Sequence, residues 1–466
     1  MRRRSTRHRA RRSARHRARR SARRSARHPT RLGRLLVQLV TLVAAWASTT
    51  GVARADITDL MGMDARTRGM GMSTITLCED YTAAVCNPAA GAMAKGISVG
   101  VGYSWAKADL KLNGGSSEVL TISGVPFGFN APFTIHKKIR AAITVSAYIP
   151  DQFLARVQLV PAYEPRFVLL DNRPHRIVAN FALSLRPVPW LSLGVGATML
   201  ADAAGNGITF NVGVKGGKKV GETSIDLVLP LKLAPLAGLL VKPLPWLRFG
   251  AFYRGEIDLG VALDILANVD VAGIVTGDAI ITLRAVNYYT PHRLEFGVSV
   301  DPHKSLTLAA GVAYEAWSRY SGGVPDVRIL VDLGLNPPMV QAFWPPDNFH
   351  DVVSPRFGAE YRHDWKGGHR IAARLGYVYA PSPVPAQVGL PSLVDNNRHV
   401  LAAGLGFRIG RIASWYPYPV VIDIGFQYHV LPERTVQRRL ISDPVGGGLV
   451  SSGSLISLAA SVKLEY

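Results

Sequence analysis

The sequence predicts an all-β protein, a transmembrane antiparallel β-barrel of about 14 strands, and three observations carry that expectation. From residue 97 onward, apolar and polar residues alternate with period two, the pattern of strands with one apolar and one polar face. The alternating segments run to about 10–13 residues, the length of a tilted membrane-crossing strand, where strands of globular domains are usually about 5–6. Tight turns alternate with long loops, so the segments read as consecutive hairpins.

The N-terminus is of another kind. The first 34 residues hold sixteen arginines and no acid. Such a tract suits phosphate contacts to nucleic acid, but the adjoining segment points to export. Leu35 to Trp46 ("LLVQLVTLVAAW") is too short to span a bilayer as a helix. It leads to Ala53-x-Ala55, a small-residue cleavage signal. Charged region, apolar core and A-x-A together predict a secretory signal peptide over residues 1–55. Those residues carry seventeen arginines and no acid, so of the chain's formal net charge of +22 only +5 belongs to the remainder. The basic balance is a property of the leader, and no nucleic-acid partner is expected. Cys78 and Cys86 are the only cysteines; in an exported chain, oxidation to a disulfide between them is expected, and no neighbouring histidine or cysteine pair offers metal spacing.

In "RLEFGVSV", Leu294, Phe296, Val298 and Val300 alternate with Glu295, Gly297 and Ser299. In "SLAASVKLEY", Leu458, Ala460, Val462, Leu464 and Tyr466 alternate with Ser457, Ser461, Lys463 and Glu465. Reading this way places strands near 97–108, 117–130, 139–150, 174–186, 190–202, 226–239, 246–256, 279–300 with a break at Pro291, 305–318, 354–363, 370–380, 398–410, 419–431 and 455–466. An even count returns both ends to one side, and closure satisfies backbone groups that lipid cannot. The turns "RPVPW" (186–190), "KPLPW" (242–246) and "DPHKS" (301–305) begin 56 and 59 residues apart, one hairpin plus one long loop. The first two each set a Trp at the start of the next strand, as an interfacial aromatic girdle requires. The terminal aromatic Tyr466 on an alternating strand agrees with assembly in a Gram-negative outer membrane, among its lipid and lipopolysaccharide.

No catalytic constellation is present: no G-x-S-x-G, H-E-x-x-H, P-loop or strand-to-helix G-x-G-x-x-G. His175, His292, His303, His369 and His399 scatter over strand ends and turns, as solvated side chains do. No enzyme activity, cofactor or metal is expected. The loops carry more information. Residues 233–246, 261–277 and 330–346 are strongly apolar near or beyond the membrane edges, where a general porin would carry charge. Either these stretches pack on one another over the barrel mouth or extend its strands, or they form a capture surface for an apolar ligand. Arg156, Arg166 and Lys242 are near enough in sequence to meet a ligand carboxylate.

Four stretches resemble the FadL/TodX-type outer-membrane transporters of long-chain fatty acids and hydrocarbons. They are "RTRGMGMSTITLCEDYTAAVCNPAAGAM" with its N-P-A triplet, "AYIPDQF" (148–154), "YYTPHRLEFGVSVDPHKSLTLAAGVAYEAWSRY" (288–320) with Trp317-Ser318, and "GYVYAPSPVPAQVGLPSLVDNNRHVLAAGLGF" (376–407) with Asp395 and Arg398. The resemblance implies a small N-terminal hatch (56–96) inside the lumen, with Asn87, Pro88 and Ala89 at its motif, and a barrel over 97–466. It implies a kink in the third strand near Pro150, where proline cannot donate to the ladder, and capture by loops 203–225 and 257–278. The function implied is passive, hatch-gated uptake by a monomer, with sideways release into the membrane. The other readings are a structural or adhesion barrel and a general porin. The chain departs from the family pattern at Glu79-Asp80-Tyr81-Thr82 and in having Cys78 and Cys86, and the substrate stays open between fatty acid and aromatic hydrocarbon.

Overall fold

The computed structural model describes residues 57–117, 119–136, 139–152, 165–170, 177–201, 204–215, 218–228, 231–271, 275–320, 326–332, 340–341, 348–386, 393–411, 416–436 and 448–466. The expected signal peptide lies outside them. Fourteen antiparallel strands form a closed wall: β1 (Ser98–Leu112), β2 (Ile122–His136), β3 (Ile139–Pro150), β4 (Val178–Val188), β5 (Leu191–Ala201), β6 (Leu231–Leu244) and β7 (Leu247–Arg254). They continue with β8 (Arg293–His303), β9 (Leu306–Glu315), β10 (Val352–Trp365), β11 (His369–Ala380), β12 (Arg398–Ile409), β13 (Val420–Val436) and β14 (Leu449–Glu465). Each pairs with its chain neighbours, and β1 pairs with both β2 and β14, which closes the ring. Among the described residues no helix is long and apolar enough to cross a membrane; strands do so here.

Alternation sets the wall inside out relative to a soluble domain. On β8, Phe296 is 54% exposed while its neighbour Glu295 is 4% exposed. Outward apolar residues meet lipid, and the lumen collects the polar ones. The tight turns fall at Pro189-Trp190, Pro245-Trp246 and Lys304-Ser305. Trp190 and Trp246 stand half exposed at this rim with Trp365 and Tyr466, the girdle the turn sequences predict. Tyr466 also packs edge-on against Tyr416 and beside Tyr418.

Beyond the opposite rim the expected loops contain further strands. The β7–β8 hairpin continues past the wall as a ribbon, Ile257–Val271 paired with Val275–Thr290. Gly255-Glu256 and Pro291-His292 mark where ribbon and wall part, so the single span 279–300 is two strands. The break falls at Pro291 because proline has no N–H for the ladder. Ala204–Lys215, Lys218–Val228, Asp326–Asp332 and Val340–Gln341 join the ribbon in a six-stranded sheet. Its register brings Ile208, Ile265, Ile281 and Ile329 into one cross-strand row, and Phe210, Ala267, Ala279 and Val331 into the next row on that face. Regions 203–225 and 257–278 are therefore largely sheet: alternation that runs past the membrane edge still seeks a paired strand.

Candidate functional site

The lumen is filled by a hatch of short helices, α1 (Ile57–Met61), α2 (Ala65–Gly69) and α3 (Ala83–Cys86), followed by a 3₁₀ turn, Pro88–Met93. Asp64 caps α2, its Oδ1 accepting from Thr67 N at 2.9 Å. Asn87 caps the 3₁₀ turn, with Oδ1 accepting from Ala89 N at 3.1 Å and Pro88 in the first turn, where its missing N–H costs nothing. The Asn87 amide donates at 3.1 Å to Ile75 O and at 3.1 Å to Leu239 O on β6. One fully buried amide thus fixes the turn, ties it to the rest of the hatch and rivets it to the wall. Ala89 and Ala90 are fully buried, and Gly91 sits against Thr144 and Asn130 with no room for a side chain. That accounts for the run of small residues.

The wall meets the hatch with glycines. A methyl group on Gly376 would overlap Gly71 N, on Gly425 it would overlap Ala65 O, and on Gly358 it would overlap Ser73 Oγ. On Gly194 it would overlap the Pro88-Ala89 peptide, on Gly238 the Asn87 amide, on Gly297 the Ile75 side chain and on Gly100 the Tyr81 ring. Strand register pairs these positions across the wall: Gly100 with Gly128, Gly194 with Gly238, Gly250 with Gly297, Gly358 with Gly376, Gly404 with Gly425. The result is a collar of bare backbone on which the hatch rests.

Ion pairs lock the seat at three points. Arg254 on β7 donates through Nη1 and Nη2 to the two oxygens of Asp59 at 2.8 and 2.5 Å, and Arg293 on β8 adds a third donor. Arg66 reaches Glu360 on β10 through Nε (3.0 Å) and Nη2 (3.2 Å), and Arg374 on β11 shares that carboxylate at 2.7 Å. Lys463 on β14 donates to Asp80 at 2.9 Å. Burial alone would raise the pKa of Asp59 and of Asp80 toward neutral, but these cations win. Asp59 is held well below the usual carboxylate range, and Lys463 with the Thr82 donors brings Asp80 to about 2. A lowered acid pKa stabilises the seat above the unfolded value, near 4, and that contribution fades only as pH falls toward the folded value. Conductance of the purified barrel in a planar bilayer is therefore expected to be unchanged between about pH 5 and 8 and to rise only in strong acid.

Above and below the hatch the lumen differs in kind. Toward the long-loop rim lie two apolar clusters. One joins hatch residue Met61 to Leu110, Ile122, Tyr148, Phe167 and Leu170; the other gathers Trp317, Tyr289, Tyr320, Phe349 and Val352. Between the second cluster and α1 is a small cavity of about 50 Å³, bordered by Asp59, Leu60, Met72, Trp317, Val378, Arg356, Arg398 and His429. Toward the turn rim is a cavity of about 620 Å³ lined by Arg66, Arg248, Arg362, Arg374 and Arg408 with Asp80, Glu360, Asp423 and Glu465.

The residues singled out in the sequence fall at different places. Trp317 is buried in the aromatic cluster and donates to Glu315 at 3.0 Å; Ser318 is exposed, its N–H bonded to Asp351 at 2.8 Å. Asp395 is buried in the segment before β12, and Arg398 opens β12 at the cavity edge. Pro150 is the last residue of β3: the β3–β4 ladder stops short of it, at Tyr148 with Val178. Arg166 lies in a two-residue strand paired with Leu393-Val394 at the long-loop rim, while Lys242 sits beside the turn Pro245-Trp246 at the other end, so the two do not converge. Arg156 lies outside the described residues. Cys78 and Cys86 are free thiols, not the expected bridge. They share one cluster with Ala83, Ala89 and Met93 and lie side by side, with Thr74 Oγ1 3.6 Å from Cys86 Sγ and Ile75 O 3.9 Å from Cys78 Sγ. Asp59, Glu360 and the glycine collar were not singled out in the sequence.

No family model matches the chain. Over 88 residues, 18% of this chain and 18% of the relative, it is 34% identical to alkane uptake protein A of Marinobacter nauticus, so the match spans under a fifth of that protein's length. Among solved structures, it aligns with a Pseudomonas aeruginosa FadL homologue at a TM-score of 0.51 and 13% identity, over 87% of this chain and 98% of that one. The Ralstonia pickettii toluene transporter TbuX aligns at 0.50 and 18%, over 88% and 100% of the two chains. The P. putida toluene transporter TodX aligns at 0.51 and 15%, over 88% and 99%. At these identities the likeness is one of fold: a hatch-bearing barrel of the FadL and TodX type.

Proposed function

We propose that this protein is a passive outer-membrane uptake channel of the FadL/TodX type, taking hydrophobic molecules, long-chain fatty acids or hydrocarbons, past a hatch and releasing them sideways into the membrane. The observation that carries this reading is the division of the lumen: apolar toward the long-loop rim, ionic toward the turn rim, with the hatch between. An acyl chain gains about 0.8 kcal/mol per methylene kept out of water. It would lose that gain on an axial path through the arginine-lined floor. The end of β3 offers the alternative. There the β3–β4 ladder ends beside Tyr148, which belongs to the same apolar cluster as Met61 and Ile122.

Capture is assigned to the six-stranded sheet, whose registered rows of Ile208, Ile265, Ile281 and Ile329 supply apolar positions outside the membrane. The likeness of fold to toluene transporters and the segment shared with an alkane uptake protein support the same class of cargo. One chain suffices, since wall and hatch close within a single barrel, and the chemistry asked of it is transport rather than catalysis.

A deletion strain is expected to lose growth on oleate or toluene at limiting concentration and regain it with the cloned chain, and labelled ligand is expected to bind the purified barrel. Unaltered growth with no binding would overturn the reading in favour of an adhesion barrel. Free passage of small sugars would instead identify a porin.

A further inference from the structure

Asp59 belongs to the hatch, but its partners belong to the wall. Arg254 grips it with both terminal nitrogens and Arg293 with one, the planar two-point hold that guanidinium gives a carboxylate. Both arginines are more than nine-tenths buried. Asp59, the occupant of this cradle, borders the small cavity together with Trp317 of the aromatic cluster, so the carboxylate position and an apolar wall lie side by side. The neighbourhood is also rich in donors. Arg293 Nε, Arg356 Nε and Arg398 Nη1 are buried and have no acceptor among the described residues. Of the wall carboxylates, Glu295 already takes Arg293 Nη2 and Arg356 Nη1, and Glu315, which faces the cavity, is engaged by Trp317 Nε1 at 3.0 Å. Such surroundings suit a head group that only accepts hydrogen bonds.

We propose that the Arg254–Arg293 cradle is a carboxylate site which the chain's own Asp59 fills at rest, and that the carboxylate of an arriving acid exchanges with Asp59 and frees α1. The inference rests on the uptake reading and narrows its cargo: long-chain carboxylic acids trip the hatch directly, whereas neutral hydrocarbons have nothing to offer the arginines. The exchange swaps one charge-assisted carboxylate contact for another, so it opens the seat without leaving the buried cations bare.

Asp59→Asn removes the resident competitor. The purified variant, its barrel fold checked by heat-modifiable gel mobility, is expected to bind oleate about tenfold more tightly than the wild type and methyl oleate with unchanged affinity. Arg293→Gln is expected to weaken oleate binding by about tenfold and leave methyl oleate unaffected, a result that does not depend on the first variant folding. If acid and ester respond alike to both substitutions, or to neither, the carboxylate exchange is wrong and the uptake reading stands. If the wild type binds neither oleate nor its ester, the uptake reading itself falls.

Discussion

Gly376→Val is expected to unseat the hatch and turn a closed barrel into a leaking one. The inward face of β11 at Gly376 lies against the backbone of Met70 and Gly71, not against a side chain that could rotate away. The hatch backbone has little freedom there, because Gly71 (φ +57°) and Met72 (φ +56°) are both in the left-handed region. Nor can the wall yield, since Gly376 is paired on both sides, with Gly358 and Ala402. Overpacking of this kind costs about 1–3 kcal/mol and occasionally more. Each 1.4 kcal/mol shifts the seated fraction about tenfold. The cost falls on the hatch interface, because the wall's ladder forms without it. Cells carrying Gly376→Val should thus become about tenfold or more sensitive to vancomycin, a solute too large and polar for an intact outer membrane. The variant should still assemble a heat-modifiable barrel. Leu375→Val, on the lipid face of the same strand, should leave cells as resistant as the wild type. A closed Gly376→Val barrel would show that the collar merely accommodates the hatch without seating it.

The features legible in the sequence are the local ones. The wall strands appear because alternation, turn residues and tryptophan placement each act over a few neighbouring positions. Trp190 and Trp246 could be assigned to a rim before any pairing was known. The hatch seat is the opposite case. Gly194, Gly238, Gly297, Gly376 and Gly425 each read as a weak point in a strand, and only the register of several hairpins turns them into one collar. Arg66 meets Glu360 across 294 residues and Arg254 meets Asp59 across 195. No spacing rule reaches that far. The outer sheet is legible only as one alternative, strands that extend past the wall, because its strands alternate like wall strands and nothing in alternation marks where the membrane ends.

Glu360→Ala is expected to loosen the hatch from the turn side. Glu360 is almost fully buried and gathers three arginines: Arg66 of the hatch at 3.0 Å, Arg374 at 2.7 Å and Arg362 at 3.4 Å. Removing the shared carboxylate leaves Asp423, 2.6 Å from Arg374 Nη1, as the acceptor nearest that group. Arg66 keeps its bond to Leu77 O at 3.0 Å but loses its carboxylate partner. Breaking one side of a buried ion pair typically costs about 3–5 kcal/mol, chiefly through the charge left unpaired. Arg66 can escape that cost by moving into the polar cavity of about 620 Å³ below it, and the way to do so is for α2 to lift off the wall. The native thiols report such motion, for Cys78 is 2% exposed when the hatch is seated. Maleimide labelling of Cys78 should therefore speed up by about a hundredfold in Glu360→Ala at fixed pH. Adding Arg66→Met removes the stranded charge from the hatch, so the double variant should label several-fold more slowly than Glu360→Ala alone. Equal labelling rates in wild type and Glu360→Ala would mean that the glycine collar and the Asn87 rivet hold the hatch without help from the ionic floor.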